Sequence, residues 1–375
     1  REAGSYSSSL VAKPRTSLQQ IMPADVASLL QSEDPAARSL GLERLSPSVA
    51  AQYSEALSKC LLDADALVRA SALRAVEDVG AAATLPGLVE QLESFLKSGK
   101  THAGGGSSSS SSSSSGARCA AALALAAVSP GSEQHAALIA PMLEEESSEN
   151  FDSEDLSTIS CVARRPKVSL RLPKCAAAEA LGKLGPAGAS YAPAVAKLLN
   201  DKSTEVRAIA ADALASMGLD ATTEEPALLK ALQCEKQAKA TAAYLNALAQ
   251  GSRAKGVASY EVVNAIASSL SSPNPLVRAA AVAAMGGAGP QASLHLPKLM
   301  KALSDRSPQV KIAVVNALAE LGPVGHVYAA DVARLAHDEW QLPFVRCAAI
   351  DALANMGERG AAFEEEIAEL VADSS

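Results

Sequence analysis

The sequence predicts an all-α fold, a right-handed α-solenoid of about nine helix pairs. Three observations predict it. The stretch "LSDRSPQVKIAVVNALAELGP" at 303–323 recurs, reworded, as "LLNDKSTEVRAIAADALASMG" at 198–218 and "LLDADALVRASALRAVEDVG" at 61–80. Of the 375 residues 48% are apolar but only 3% aromatic, which leaves mainly Ala, Leu and Val. Ala and Leu are the strongest helix formers, and the scarcity of aromatic and Ile-rich runs argues against sheets. Finally, Gly and Pro fall at fixed offsets inside the recurrence, where helices stop and start.

The recurrence sets the first helical element. Aligned, the three stretches place a basic residue at Arg69, Arg207 and Lys311, and the same frame finds Arg38, Arg118, Lys174, Arg278 and Arg346, with Thr241 in one slot. Successive gaps are 31, 49, 56, 33, 34, 37, 33 and 35 residues, so nine units fit and two carry insertions. Four residues before the basic position stand Asp34, Asp65, Ser203, Asn274 and Ser307, whose side-chain oxygens suit a helix N-cap. Pro35, Pro275, Pro308 and Pro343 fit the first turn, where a missing N–H costs nothing. Eleven residues after the basic position come Gly80, Gly185, Gly218, Gly289, Gly322 and Gly357, expected as left-handed helix stops, and Pro186, Pro290 and Pro323 then block continuation.

Between start and stop the apolar residues keep one phase. Val310, Val314, Ala317, Leu318 and Leu321 fall at i, i+4, i+7, i+8 and i+11, as do Val206 to Met217 and Val345 to Met356. That is a narrow stripe on one helix. Upstream of each lies a second element, "YAPAVAKLLND", "HLPKLMKALSD" or "YAADVARLAHD". Each unit is therefore a helix pair that buries its stripe only by stacking on neighbours. The pattern Asp201–Val206–Arg207–Ala210–Ala213–Leu214–Gly218 resembles the HEAT repeat, most of all the short, Ala-rich variety named after phycobilisome bilin lyases. The resemblance covers about residues 24–357, with repeats one, three, four and six departing from it. It implies an armadillo-like solenoid whose second helices line the concave side, and it leaves the function open.

The chain divides accordingly. Residues 1–22 read as a flexible segment, Ser-rich with Lys13 and Arg15. Residues 23–96 hold two repeats and the first helix of a third, 97–117 a Gly/Ser linker, 118–143 further helices, 144–173 an insertion, 174–357 the remaining repeats, and 358–375 a capping helix. The insertion sets "EEESSENFDSED", seven acids in twelve residues, beside "ARRPKVSLRLPK" with five bases at its end. Either the two blocks pair as a solvated loop, or Arg164, Arg165 and Lys167 form an arm that docks an acidic partner surface.

Composition excludes several functions. A net charge of -8 with few aromatics disfavours nucleic acid, which needs concentrated cations and stacking platforms. The longest apolar run, "CAAALALAAV", is too short to span a bilayer. The five histidines never pair at i, i+4 and no Cys-x-x-Cys occurs, so neither a metal nor a cofactor is expected. No nucleophile–base pair or phosphate loop stands out, which favours a non-enzymatic role. Cys119, Cys175 and Cys347 share the position after the basic residue, either as small residues in a crowded ridge or as thiols that handle a bilin. An intracellular site is expected, cytoplasmic, or plastid or mitochondrial if the N-terminus is a processed presequence.

Two sets of polar residues remain. Asp63, Arg69, Asp201, Arg207, Asp305 and Lys311 are expected to form a structural ladder, pairing as Asp63/Arg69, Asp201/Arg207 and Asp305/Lys311 to bind loops between neighbours. Five residues past each basic position, Glu43, Arg74, Glu179, Asp212, Asn246, Asn316 and Asp351 face away from the stripe and would form a mildly acidic concave track for a partner helix or extended peptide. Trp340 and Phe344, in an enlarged loop, either form a contact hot spot or pack on the terminal helix. The expected function is a scaffold or adaptor binding a protein partner, alone or as a subunit of a larger assembly. The alternative is a bilin-lyase-like or chaperone-like factor for a chromophore-bearing partner.

Overall fold

Each recurrence folds as two packed helices joined by a short loop. The structure, a computed structural model, describes residues 23–82, 85, 87–98, 111–145, 172–218 and 224–373. The first helices of repeats one to nine are Pro23–Leu30, Ser54–Leu61, Leu88–Ser98, Glu133–Ile139, Ala192–Lys197, Glu225–Cys234, Tyr260–Ser269, Leu296–Ala302 and Ala329–His337. The second helices are Pro35–Glu43, Ala66–Val79, Ser111–Val128, Pro173–Lys183, Thr204–Ser216, Ala238–Lys255, Pro275–Gly286, Pro308–Glu320 and Pro343–Ala354. A last helix, Glu364–Asp373, closes the array. Among the described residues there is no strand.

The starts and stops follow the local chemistry. Asp34, Asp65 and Asn274 cap their helices, accepting from the N–H groups of Ala36, of Leu67 and Val68, and of Leu276. Ser203 and Ser307 sit at the cap but make no capping bond; instead Asp201 and Asp305, two residues earlier, accept their N–H groups at 2.9 and 2.8 Å. The stops differ from the left-handed conformation expected. Gly185, Gly322 and Gly357 take φ near +60° with ψ of -129°, -140° and -140°, an extended mirror region that only glycine enters at no cost. Pro186 and Pro323 then open a new turn rather than merely ending the old one, Pro186–Ala189 and Pro323–His326. That turn comes so close to the finished helix that a Cβ on Gly325 would overlap the Leu318 carbonyl oxygen.

The apolar stripes form one continuous core. Val310, Val314, Ala317, Leu318 and Leu321 are buried, and so are their counterparts from Val206 to Met217 and from Val345 to Met356. The second helices pack one on the next in an unbroken series from Pro35–Glu43 to Pro343–Ala354, whereas the first helices meet more sparsely. Alanines at the second-helix contacts let those axes approach closely, and a row packed tighter on one side curves toward it. The inner side therefore belongs to the second helices.

One boundary is corrected. The helix of repeat three begins at Ser111, inside the segment read as a 97–117 linker, and the preceding helix runs to Ser98. The Ala-rich run from Ala117 nucleates a helix, and adding residues to an existing helix is cheap, so the serines before it are drawn in. Gly116 lies against the Arg69 guanidinium, with no room for a side chain between them.

Candidate functional site: the inter-repeat ladder and the concave groove

At Arg38, Arg207 and Arg278 the cation of the repeat reaches two ways, to its own loop and to the next repeat. Arg207 donates to the carbonyls of Asp201 and Lys202 in its own loop at 2.9 and 3.0 Å, which straightens the loop before the helix. It also forms a fork with Glu235 of repeat six, Nη2 to Oε1 at 2.9 Å and Nε to Oε2 at 2.6 Å. Arg278 does the same, with the carbonyls of Ser272 and Pro273 on one side and both Asp305 oxygens at 2.8 Å on the other. Arg38 pairs with Asp63, Arg118 with Glu145, and Lys174 with Asp201, while Lys311 donates to Gln341 at 2.7 Å.

The side-chain pairs thus join one repeat to the next. The pairing Asp63/Arg69, Asp201/Arg207 and Asp305/Lys311 within a repeat is corrected: each of these aspartates takes its cation from the preceding repeat. Arg69 donates to the backbone carbonyls of Asp63 and Ala64 at 2.7 and 2.8 Å. The physical reason is direction. The basic residue sits one turn into its helix on the side that faces the following loop, so its own aspartate lies behind it and holds backbone N–H groups instead. A signal was present in the sequence, an acid or amide 25–30 residues beyond each cation. It picks out Glu145, Glu235 and Gln341, which the repeat pattern alone did not.

Two of these pairs shift the titration of their members, Arg278–Asp305 and Arg207–Glu235. The Arg278 hydrogen bond holds the Asp305 carboxyl below its usual range. Burial pushes Glu235 up, but Arg207 and the N–H groups of Gln237 and Lys236 outweigh it and the net shift is down. Tyr244, fully buried, donates to the Leu199 carbonyl at 3.2 Å, and burial pushes its phenol up to about 12.

Between repeats six and seven the rung is missing. Thr241 turns its hydroxyl back to the Gln237 carbonyl, and the loop opposite offers Ser272. A cleft of about 1000 Å³ opens there, reaching from Lys230 and Thr241 to Asn264 and Ser272.

The inner face carries its own cross-links. Lys183 of repeat four pairs with Glu77 of repeat two, and Arg253 of repeat six with Glu320 of repeat eight, Nη2 to Oε2 at 2.8 Å. Each spans two repeats, roughly 16–20 Å at ordinary helix spacing, which side chains bridge only where the axes converge. Gly286 and Gly287 form the floor beneath the second clamp, and a Cβ on either would strike Glu320 or Arg253.

Of the residues expected to form the track, Asp212 and Asn246 border the same groove as Arg253. Glu43, Asp212, Asn246, Asn316 and Asp351 are exposed, while Arg74 and Glu179 are half-buried. Glu179 is held by Lys183 at 3.2 Å. Asp212, Ser216, Asn246, Gln250 and Arg253 border a groove of about 540 Å³. Asp212 makes no ion pair among the described residues; the crowding of the groove raises its pKa against a lowering by Lys239.

The other candidates separate. Arg164, Arg165 and Lys167 lie outside the described residues. Trp340 is 96% exposed, so it does not pack on the terminal helix, which docks through Phe363 and Ile367. Its loop is ordered by Asp338, which accepts the Trp340 N–H at 3.1 Å and the Gln341 amide at 2.7 Å. Phe344 and Leu342 stand exposed beside it in sequence. Cys119 and Cys175 are fully buried and burial pushes both thiols up, Cys119 to about 12, so neither meets a pigment in this state. Cys347 is exposed. His135 is buried with Nε2 2.9 Å from Glu93, and His295 meets Asn264 at 3.2 Å. Among the described residues no group of three His, Cys, Asp or Glu is placed to hold a metal, and no helix is long and apolar enough to cross a membrane.

With that geometry in hand the comparisons agree on the repeat. The family model for HEAT repeats matches residues 263–354, and that for the single HEAT repeat matches 192–220. This is a HEAT-repeat helical solenoid. Among solved structures, the karyopherin Kap121p bound to Nup53p is similar at 14% identity and a TM-score of 0.49, over 92% of this chain and 43% of that one. The HEAT array described here thus spans less than half the length of that karyopherin. The complex of CpcE and CpcF of phycocyanin lyase from Nostoc sp. PCC7120 is similar at 19% identity and a TM-score of 0.43, over 75% of this chain and 94% of that one. YibA of E. coli is similar at 14% and 0.49, over 86% and 98%. Among curated proteins none matches the chain.

Proposed function

We propose that this HEAT solenoid is a non-enzymatic scaffold or adaptor that holds a protein partner along its concave face, as a subunit of a larger assembly. The observation that carries the reading is the inner row of second helices, with small residues as its floor and Asp212, Asn246, Asn316 and Asp351 exposed along it. Small side chains leave room for a partner's backbone to lie close, and the polar residues supply orientation. The 144–173 insertion, with Arg164, Arg165 and Lys167, and the exposed Trp340 and Phe344 are additional contacts in this proposal.

The test uses the tagged full chain, the double variant Asp212→Lys/Asp351→Lys, and a deletion of 144–173, each checked for unchanged helicity. A stoichiometric partner should be recovered by the full chain and lost with the charge reversal. Retention of that partner by both variants would rule out this face and this arm.

A further inference from the structure

Beside the groove, between the second helices of repeats five and six, lies a second pocket of about 360 Å³ that shares Ala215, Gln250 and Arg253 with it. Its walls are mainly apolar, with Leu214, Leu228, Ala247 and Leu248 contributed by three helices and Gly218 and Gly251 leaving it space, while Glu225, the one acid on its lining, is paired with Lys255. Leu214, Leu228 and Leu248 belong to the buried core, so the pocket is a notch cut into the core and not a dent in the surface. Its mouth is guarded unevenly. Arg253 is held by Glu320, so its charge is already answered. Asp212, on the other side, has no cation paired with it.

We propose that this notch is an anchor site for an extended peptide segment of a partner, taking one Leu- to Phe-sized side chain, with an Arg or Lys of the same segment reaching Asp212. The proposal rests on the concave-face reading above and gives it a chemistry. Volume argues for a single large apolar side chain, since an apolar hole of this size with polar groups only at its rim gains most from one buried anchor. Charge argues for the cation, because Asp212 is an exposed carboxylate with no ion pair among the described residues, and it stands on the same helix as Ala215 of the pocket wall. Spacing then sets the order. Asp212 and Ala215 are three residues apart on one helix, about 5–6 Å, which in an extended chain separates side chains two apart on the same face. The motif is therefore anchor-x-cation, read in either chain direction, with Asn246 and Gln250 placed to meet the peptide backbone.

The experiment is a display selection of random 12-residue peptides on the full-length protein, followed by affinity measurements with the enriched peptides. Peptides with Leu, Ile, Met or Phe two positions from Arg or Lys are expected. Ala254→Phe, at an exposed position of the mouth, should weaken them at least tenfold. Asp212→Lys should do the same and should bind a peptide whose cation is replaced by Glu. Enrichment without the motif, indifference to Ala254→Phe, or no charge exchange at Asp212 would overturn the anchor site. So would sedimentation in which only Ala254→Phe abolishes self-association, since a second copy would then be the occupant. Loss of the native partner with Asp212→Lys/Asp351→Lys but not with Ala254→Phe would leave the concave face standing and remove only the anchor.

Discussion

The seam between repeats seven and eight and the seam between six and seven are built from the same helices and fastened differently. At the first, Arg278 grips Asp305 with both nitrogens and ties down its own loop. At the second, Thr241 and Ser272 fill the corresponding slots and a cleft stands open. Yet the second helices pack across both seams alike. The rung therefore does not build the row; apolar packing does, and the rung closes the loop edge. On the opposite side Arg253 of repeat six leans across Gly287 to Glu320 of repeat eight, so this clamp crosses both seams.

Removing a rung should produce the largest effect. Arg278→Ala strands a mostly buried Asp305 and frees two carbonyls, so urea unfolding is expected to show a loss of about 3 kcal/mol, and hydrogen exchange should accelerate most in Pro308–Glu320. A loss below a few tenths would erase the distinction between the two seams.

Acid should find the same rung. Asp305 has a folded pKa below its unfolded value of about 3.9, so its contribution is complete above that pH and disappears as pH falls through the lower folded value. Exchange measured from pH 5 downward should therefore loosen seam seven–eight below about pH 4, and Arg278→Ala should abolish this dependence.

Installing a rung sharpens the contrast from the other side. Thr241→Arg with Ser272→Asp should gain about 1 kcal/mol and raise the melting temperature, with the two single changes contributing less than half of the gain each. The smallest effect belongs to the exposed clamp. Glu320→Gln should cost no more than about 0.5 kcal/mol, and high salt should mask even that.

Much of the fold was legible because its causes are local. The phase of Val310, Val314, Leu318 and Leu321, and the glycine eleven residues after six of the eight cations, are consequences of helix pitch and backbone sterics that a single repeat displays. That Asp212, Asn246, Asn316 and Asp351 are exposed follows from the same pitch, because they stand off the apolar stripe. What escaped depends on how repeats sit against one another. The register of the ladder required knowing that a cation reaches forward, the Lys183–Glu77 clamp required the curvature, and the Leu214–Leu228–Leu248 notch required a gap between three helices. Gly325 was visible as a residue but not as a contact, because its tightness comes from a turn that follows a glycine in an unusual conformation.

The two clamps change how such an array should come apart. In a simple stack every unit feels only its immediate neighbours, so a boundary between ordered and disordered units moves one step at a time. Lys183–Glu77 and Arg253–Glu320 add couplings that skip a unit. A boundary inside either trio breaks a link to a unit it has not yet reached, so each clamp adds a small extra cost to unfolding only part of its trio, no more than about 0.5 kcal/mol for the exposed Arg253–Glu320 pair.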